Sequence, residues 1–386
     1  MQLSVGPLSL GVEEEFLLVV PDSRKSVYRA EPVIELLADL GGRVQRELTL
    51  GQIEIGTEPA FALEAIGADL RELRSRVTAA AASNGCRPVS VGVPVLDSRL
   101  RAPITPSRRY EFLMREYGHL TDGLSVCGCH VHVGIEDREE AAQVSNRVRR
   151  WLPTLTAVTA NSPYCQGRDT GYQSWRALLE SRWPVSGPPP YLESAGHYDD
   201  LVGALVDNGT VLDPGMVYWQ VRLSDHLPTL EFRISDANLT VDDTLLLAAL
   251  VRALASTALS AVRAGEPAPP VSAELLRAAH WQAARYGLTG NGISLPDGVR
   301  RPGWDLFEDL VRQVRPALVE SGDWPLVRPL LNRLRCHGSG AERQRRAYRR
   351  GGLTEVVDLA LDRFDGERGT RLARRVSLLR AGSAVG

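Results

Sequence analysis

Five segments of the chain alternate apolar and polar residues along most of their length. They are Leu8 to Val20, Arg46 to Ile55, Ser125 to Ile135, Val217 to Leu223 and Thr229 to Ile234. Because successive side chains of a β-strand point to opposite faces, each segment would give an apolar face to a core and keep a polar face. Antiparallel sheets often show this division. The alternation therefore predicts a mainly antiparallel sheet with one polar face.

The second segment contains an interruption in its alternation. Its two halves are out of phase by one residue, and Gly51 lies between them. A glycine β-bulge at this position would absorb the extra residue. With that bulge, Glu47, Thr49, Gln52 and Glu54 would all face one way.

Charged side chains and histidines occupy most of the polar positions. If the polar sides align, one surface holds Glu13, Glu15, Glu47, Glu54, Glu231, His130, His132, Arg222 and Arg233. A solvated outer face is the simplest alternative, but such faces usually mix many polar residue types. Five carboxylates this close together would raise one another's pKa values unless a cation lay among them. Hard divalent cations prefer oxygen ligands, and Mg²⁺ bridging phosphates is the common case. We therefore favour a metal–phosphate site.

Two further features of these segments are local exceptions to the alternation. Gly128 and Gly134 flank the two histidines, where the missing side chains would leave room for a ligand. Glu14 falls on the apolar side of the first segment, and we expect it close to the end of the strand.

The remaining sequence favours helices. Ala62 to Asn84 and Arg138 to Ala160 have helical patterns, and the chain is almost wholly helical from residue 240 onward. The most apolar stretch, Leu245 to Leu254, is short and carries Arg252, so we expect a buried helix and no membrane span. Asn161 to Pro190 is a long loop with aromatic and Arg residues, which favours a functional role.

These patterns predict an α+β fold in which helices cover the other face of the sheet. We expect one domain over residues 1–386, with a sheet-rich part over 1–240 and a helical part over 241–386. A concave, metal-binding polar face would then be the functional surface.

Composition narrows the chemistry and the compartment. Lys25 is the only lysine, so the chain has no Walker A lysine and no plausible Schiff-base lysine. Phosphate would have to be handled by arginines and metal ions. The net charge of -2 gives no nucleic-acid or membrane signature. Five cysteines without regular spacing and an N-terminus without a signal peptide pattern favour the cytoplasm.

Several motifs in this order resemble the bacterial type 2 glutamate–cysteine ligase family, also called carboxylate–amine ligases. They are Gly11-Val-Glu-Glu-Glu-Phe16, Gln52-Ile-Glu-Ile-Gly56, Cys129-His-Val-His-Val-Gly134 and Leu230-Glu-Phe-Arg-Ile234, followed by segments at 167–172, 174–176, 182–184 and 338–345. More distantly, the pattern is similar to glutamine synthetase and to guanidino kinases, which share a related sheet. The resemblance covers nearly the whole chain.

The resemblance implies two Mg²⁺ sites on the polar face. Carried over by position, Glu15, Glu47 and Glu54 would hold one ion. Glu13, His130 and Glu231 would hold the other. His132 would lie close to the nucleotide, and Arg233 would contact the substrate or the transferring phosphoryl group. Arg222, Arg233 and Arg176 would stabilise the equatorial phosphoryl oxygens. For Arg343 and Arg345, contact with ATP and a solvated helix face are equally supported.

The reaction that the resemblance implies has two steps. ATP phosphorylates a substrate carboxylate to an acyl phosphate, and an amine then displaces phosphate to give an amide of the γ-glutamyl type. Small-molecule amino acids and ATP would be the partners, with glutamate–cysteine ligase activity that need not be strong. A homodimer would be compatible with the family.

Three alternative hypotheses about the function stay open at this point. A guanidino-kinase-like phosphotransferase would use a related sheet and would make no amide. A homologue could bind its ligands without turnover. A metal-dependent hydrolase could use the same carboxylates, and dependence on ATP would exclude it.

Overall fold

The computed structural model describes residues 7–97 and 101–364 of the 386-residue chain. The strands in this part are β1 Leu10–Val19, β2 Val44–Arg46, β3 Gln52–Gly56, β4 Arg87–Val89, β5 Gly128–Gly134, β6 Tyr164–Cys165, β7 Arg168–Asp169, β8 Ser186–Gly187, β9 Tyr218–Trp219, β10 Val221–Leu223, β11 Thr229–Asp236, β12 Asn291–Ile293 and β13 Arg300–Pro302. Seven of them form one sheet in the order β10-β11-β5-β1-β3-β2, with β4 paired to the C-terminal end of β1. Every pairing in this sheet is antiparallel, which confirms the prediction.

The helices are distributed along the whole chain. They are α1 Ala30–Glu35, α2 Leu63–Ser83, α3 Arg108–Tyr117, α4 Arg138–Val148, α5 Leu152–Thr159, α6 Trp175–Glu180, α7 Ala195–Asp207, α8 Val241–Arg263, α9 Ala273–Tyr286, α10 Gly303–Glu320, α11 Trp324–His337 and α12 Gly340–Phe364. The last five confirm the helical second half. The short hairpin of β12 and β13 interrupts it, and the sequence pattern did not predict that hairpin.

The predicted helix over Arg138 to Ala160 is broken in the structure. α4 ends at Val148, a 3₁₀ turn follows, and α5 starts at Leu152. Pro153 lies in the first turn of α5, where its missing N–H is tolerated and its fixed φ suits the helix. The proline therefore sets the start of a second helix.

The bulge predicted at Gly51 is wrong. β2 and β3 are separate, antiparallel neighbours, and residues 47–51 form the connection between them. The backbone N–H of Gln52 donates to the carbonyl of Thr49 at 3.0 Å, which closes the turn. A Cβ on Gly51 would lie 3.1 Å from the ring of Tyr28, so the glycine permits a close approach. Glu47 therefore belongs to a turn and not to a strand.

β4 is short, and its three residues pair with the C-terminal end of β1. Glu14 lies in the middle of β1 on the core side, and not near its end. Arg74 of α2 donates two hydrogen bonds to it, at 2.7 and 2.8 Å, and both side chains are fully buried. A buried carboxylate persists only when it is paired and hydrogen-bonded, and this guanidinium supplies both conditions.

Helices pack against parts of both faces of the sheet. Leu17 and Val19 lie on the same side of β1 as Glu15, because the three residues are two apart. Both pack in a small apolar cluster with Val356 and Leu361 of α12. The polar face is therefore closed at the C-terminal end of β1, and the expectation that helices lie only on the opposite face was incomplete.

The apolar helix α8 is part of the core. Thr240 caps its first turn together with Asp243, in a reciprocal pair of hydrogen bonds. By length and composition the helix passes the test for a membrane span, but 72% of its most apolar window is buried inside the protein. This confirms the prediction of a buried helix.

Candidate active site

Strand register brings the predicted polar positions together. Glu13 of β1 lies opposite His130 of β5, and Glu231 of β11 lies opposite His132. Arg222 of β10 lies opposite Glu231 in the next pairing. Residues that are directly opposite in a sheet share a face. The polar sides therefore align across neighbouring strands, as the sequence analysis required.

The first cluster, which we call the carboxylate group, consists of Glu15, Glu47 and Glu54. Glu15 lies opposite Glu54, and Glu47 reaches them from the turn that precedes β3. One carboxylate oxygen from each lies within 4.8 Å of the others. Tyr110 of α3 donates its hydroxyl to Glu47 at 2.6 Å, and the backbone N–H of Gly128 donates to Glu15 at 2.7 Å. These two donors fix the orientation of two of the three carboxylates.

The electrostatics of the carboxylate group favour a bound cation. Burial raises the pKa of Glu54 well above its ordinary value, and the neighbouring charges of Glu13 and Glu15 raise it further. Burial and the charge of Glu15 raise the pKa of Glu47 to about 7. A divalent cation would offset both the lost hydration and the repulsion. The donor set of three carboxylates suits a hard ion such as Mg²⁺.

The second cluster, which we call the mixed group, consists of Glu13, His132 and Glu231. Their ligand atoms also lie within 4.8 Å of one another. Arg222 donates to Glu231 at 2.6 Å, and Arg233 forms an ion pair with the other oxygen of the same carboxylate. Burial alone would raise the pKa of Glu231, but the two guanidinium groups hold it below its ordinary value. The mixed group thus carries its own positive partners.

The geometry groups the two histidines differently from the prediction, while the predicted place of His132 beside the nucleotide stays a prediction. His132, and not His130, joins Glu13 in the mixed group, with its Nε2 3.4 Å from a Glu13 oxygen. The hydroxyl of Thr229 lies 3.0 Å from Nδ1 of His132, which orients the ring. His130 lies between the two groups, 3.1 Å from Glu13 and 3.7 Å from Glu15.

Both histidines have an unsatisfied nitrogen in the site. The Nε2 atoms of His130 and His132 are buried and make no well-formed hydrogen bond within residues 7–97 and 101–364, although oxygens of Glu15 and Glu13 lie 3.7 and 3.4 Å away. Buried polar atoms are nearly always partnered, so an orphaned imidazole nitrogen beside carboxylates needs an explanation. A metal ion or a bound phosphate would supply the missing partner. The residues of both groups therefore fit the cations that the sequence analysis expected.

The three arginines predicted to be catalytic differ in their surroundings. Arg233 faces the site, within 3.5 Å of His130, and stacks 5.9 Å above the ring of Tyr218. Arg222 donates to the carbonyls of Gly215 and Val217 as well as to Glu231, so its donors are directed into the protein. Arg176 is fully buried and pairs with Glu180 at 2.7 Å.

Arg343 and Arg345 lie in structural ion pairs on α12. Arg343 binds Asp243 at 2.7 Å and Arg345 binds Asp169 at 2.7 Å. Arg345 also donates to the carbonyl of Tyr172. The contacts of Arg345 anchor the segment after residue 161 to α12, and the ion pair of Arg343 joins α12 to the first turn of α8. A role for either arginine in nucleotide binding stays a prediction.

The two glycines beside the histidines make room for protein side chains. A Cβ on Gly128 would lie 2.3 Å from the guanidinium of Arg176. A Cβ on Gly134 would lie 2.2 Å from the hydroxyl of Ser9. The expectation that these positions leave room for a ligand is therefore wrong in the present structure.

A cavity of about 830 Å³ lies next to the mixed group. Glu13 and His132 form part of its wall, Phe61 and Leu259 contribute apolar surface, and Arg263 contributes a cation. Its volume is within the roughly 300–1,000 Å³ that is typical of small-molecule pockets. Neither Arg343 nor Arg345 is among the described residues that line it.

Sequence reasoning missed several residues that shape the site. Tyr110 contacts Glu47 across 63 positions in the chain, and no local pattern signals such a contact. Glu180 was missed because no helix had been assigned within the long loop. In a helix, Glu180 would have stood out as the residue four positions after Arg176.

Two solved structures have a similar fold. A glutamate–cysteine ligase from Francisella tularensis in complex with AMP superposes with a TM-score of 0.72 at 13% identity, covering 97% of this chain and 92% of that one. A bifunctional glutathione synthetase from Pasteurella multocida gives 0.69 at 16% identity, covering 92% of this chain and 52% of that one. At these sequence identities, the structural similarity shows the fold alone.

Sequence relatives agree over nearly the whole chain. A Saccharopolyspora erythraea protein provisionally named glutamate–cysteine ligase 2-1 is 47% identical over 356 residues, which are 92% of this chain and 94% of that protein. A Salinispora arenicola protein, provisionally named glutamate–cysteine ligase 2, is 46% identical over 88% of this chain and 90% of its own length. The model of glutamate-cysteine ligase family 2 matches residues 9–359. The chain therefore belongs to glutamate–cysteine ligase family 2.

Proposed function

We propose that this protein is an ATP-dependent carboxylate–amine ligase that forms a γ-glutamyl-type amide through an acyl phosphate. The observation that carries the proposal is the pair of ligand groups on one sheet face, with Glu13 of the mixed group on the wall of the cavity. Family membership supports ligase chemistry of the glutamate–cysteine type. The choice of glutamate and cysteine as substrates is part of the proposal.

Two Mg²⁺ ions would be held by the two groups. Glu15, Glu47 and Glu54 offer three carboxylates to one ion, and the mixed group offers two carboxylates and an imidazole to the other. When bound, such ions neutralise the phosphates and the charge that develops during phosphoryl transfer.

We place the nucleotide in the 830 Å³ cavity, with its phosphates toward Glu13 and His132. Leu259 and Arg263 of α8 line this cavity, so the helical part over 241–386 would complete the nucleotide site. That arrangement supports one catalytic domain over residues 1–386. The contribution of the helical part to the nucleotide site would then come from α8 rather than from Arg343 and Arg345.

The side chains around the site would orient the substrates and exclude water. Arg233 faces both groups and is well placed to stabilise negative charge on the transferring phosphoryl group. Arg222 would act as a positioning residue, because two backbone carbonyls accept from its guanidinium and hold it in place to donate to Glu231. The reaction needs no protein nucleophile, since the acyl phosphate is formed on the substrate.

We assign the activity to the cytoplasm. The described cysteines are all free thiols, and four of the five are buried. Reduced thiols are the normal state in that compartment.

The proposal is tested by ADP release from ATP and Mg²⁺ with glutamate and a pool of amino acids. Wild type is compared with Glu54→Gln and with the matched surface control Glu193→Gln, whose side chain is exposed. Release that requires an amino acid and Glu54, together with an amide product in mass spectrometry, supports the ligase. Release without an amide supports the kinase reading, and no release with any pool contradicts both.

A further inference from the structure

The long loop contains a segment, residues 182–187, that has no part in the function proposed above. β8 of this segment pairs in parallel with β9. The backbone N–H of Gln220, which follows β9, donates to the carbonyl of Gly187, and its own carbonyl accepts from the N–H of Arg233, each at 2.8 Å. Backbone hydrogen bonds therefore join the segment to the strand that carries one of the predicted catalytic arginines.

Aromatic rings connect the same segment to the side chain of Arg233. Trp183 stacks on Tyr218, with ring centroids 5.7 Å apart and an angle of 30° between the planes. Tyr218 in turn lies against the guanidinium of Arg233, whose central carbon is 5.9 Å from the ring centroid. Tyr117, the last residue of α3, packs against Trp183 with the centroids 5.2 Å apart. We call Tyr117, Trp183 and Tyr218 the aromatic stack.

The base of the aromatic stack is fixed in the protein. Tyr117 and Trp183 are both buried. The hydroxyl of Tyr117 donates to the carbonyl of Thr210 at 2.8 Å, and the carbonyl of Trp183 accepts from the hydroxyl of Ser186 at 2.9 Å. Because buried side chains are close-packed, rings held in this way have little room to move. The stack is therefore a rigid support for a side chain that lies against it.

The polar contacts of Arg233 with Glu231 and His130 both use one nitrogen of its guanidinium. Nη1 forms the ion pair with Glu231 and lies 3.5 Å from Nδ1 of His130. Contacts at one nitrogen fix one point of the group, and the plane can still turn about that point. An aromatic ring within about 6 Å attracts a guanidinium and covers one of its faces. The ring of Tyr218 therefore restrains the plane of the guanidinium as well.

We propose that Trp183 and Tyr218 are positioning residues for Arg233, and that residues 182–187 place their stacked rings against its guanidinium. The inference rests on the ligase function proposed above, in which Arg233 stabilises charge on the transferring phosphoryl group. Donors that are oriented in advance stabilise such charge without moving during the reaction. A misplacement of about 1 Å can cost about 100-fold in rate. The aromatic stack therefore acts on the maximal rate and not on the affinity for ATP.

The first measurement is ADP release at saturating Mg²⁺ and glutamate with pooled amino acids. Wild type is compared with Tyr218→Leu, Tyr218→Phe and Trp183→Leu, and with the control Tyr191→Leu, whose side chain is exposed. The two replacements that remove a ring of the stack should lower the maximal rate by about tenfold or more, with the KM for ATP within about twofold of wild type. Tyr218→Phe retains the ring, so its maximal rate should stay within about twofold of wild type.

The second measurement follows the guanidinium of Arg233 by NMR and needs no turnover. In protein with isotope-labelled arginine, the Nε–H signal of Arg233 is identified by its absence from Arg233→Lys, and its heteronuclear NOE is measured. The NOE should fall in Tyr218→Leu and in Trp183→Leu, because the plane is released. It should keep the wild-type value in Tyr218→Phe. Unchanged signals from the other arginines show that each variant is folded.

The outcomes separate this inference from the ligase function. A wild-type NOE for Arg233 in Tyr218→Leu overturns the positioning role, whatever the activity. A loss of rate in Tyr218→Phe as large as that in Tyr218→Leu also overturns it, because the hydroxyl would then act on a substrate, and so does a raised KM for ATP at an unchanged maximal rate. No ADP release from wild type contradicts the ligase function, and the NOE comparison then still decides whether the stack restrains Arg233.

Discussion

The two ligand groups lie side by side on one sheet face and differ in how their buried negative charge is compensated. In the mixed group, Glu231 is buried against Arg222 and Arg233. Burial raises the pKa of its carboxyl group, but the two guanidinium groups lower it by more, so the net shift is downward. In the carboxylate group, burial raises the pKa of Glu47 and Glu54, and the charge of Arg233 offsets only part of that shift. Protein side chains compensate the negative charge of the mixed group, whereas the carboxylate group requires a bound cation.

Both groups can hold a cation, but within the described residues only the mixed group has a scaffold of arginines that compensates its charge. A buried charge with a fixed partner maintains its geometry in the absence of ligand. Clustered carboxylates without a partner are strained until a cation binds, so the binding free energy of that cation also stabilises the fold. We therefore expect replacements in the two groups to have opposite effects on the stability of the metal-free protein.

The largest effect should come from Glu231→Gln. Removing this carboxylate leaves Arg222 and Arg233 without their ion-pair partner in a largely buried place. Breaking a buried pair by removing one partner typically costs about 3–5 kcal/mol, and we expect about 3 because both arginines are slightly exposed. Urea unfolding without Mg²⁺ measures the cost, with Glu193→Gln as the control. Stability equal to that of the control would contradict the scaffold role.

Glu54→Gln should behave in the opposite way. It removes a charge that is repelled by Glu13, Glu15 and Glu47, so the metal-free protein should be unchanged or stabilised by on the order of 1 kcal/mol. ADP release should nevertheless be lost, because a cation ligand is gone. The same urea experiment, repeated with Mg²⁺, should show that the ion stabilises wild type and not the variant. Destabilisation of the metal-free variant would remove the distinction between the two groups.

The pH dependence of the metal-free protein should reveal the carboxylate group. In the folded state the pKa of Glu47 is raised from its ordinary value of 4.5 to about 7, and that of Glu54 is raised as well. A raised pKa means that folding favours the protonated form, so stability is greatest at low pH and is lost as pH rises through about 7. We expect the Tm in EDTA to fall between pH 5.5 and 8. Because Mg²⁺ displaces those protons, its stabilising effect should grow over the same range.

A constant difference between the two Tm curves would contradict this account. It would show that the carboxylates are already ionised without the ion. The variant Glu54→Gln provides the internal control, since its Tm in EDTA should depend less on pH over this range.

The sequence predicted which residues form the site better than it predicted the secondary structure that carries them. Alternation is a local property of strands, so the sequence alone could assign Glu13, Glu15 and Glu54 to one face. Glu47 was placed with them through a bulge that does not exist. Its position follows from a turn and from the hydroxyl of Tyr110, which is contributed by a helix more than sixty residues away.

Contacts between distant parts of the chain account for the other differences. Arg74 neutralises Glu14 across 60 positions, and Arg343 is held by Asp243 across 100 positions. Such partners depend on how helices pack on the sheet, which periodicity does not encode. The choice of His132 over His130 for the mixed group depends on the rotation of two rings, with Thr229 as the partner that orients one of them.

The smallest effect should come from Tyr110→Phe, which alters the carboxylate group without changing its charge. The hydroxyl donates to Glu47 at 2.6 Å, so its loss frees that carboxylate to rotate away from Glu15 and Glu54. Residues that orient a metal ligand typically change metal affinity by about 10–100-fold, and we expect the lower end because Glu15 keeps its own backbone donor. The Mg²⁺ concentration for half-maximal ADP release should rise by about tenfold, while the rate at saturating Mg²⁺ stays close to that of wild type. Tyr286→Phe, in α9 and outside both groups, is the matched control. If the maximal rate fell instead of the affinity, the hydroxyl would act on the reacting substrates, and the carboxylate group would then serve in catalysis beyond the binding of a cation.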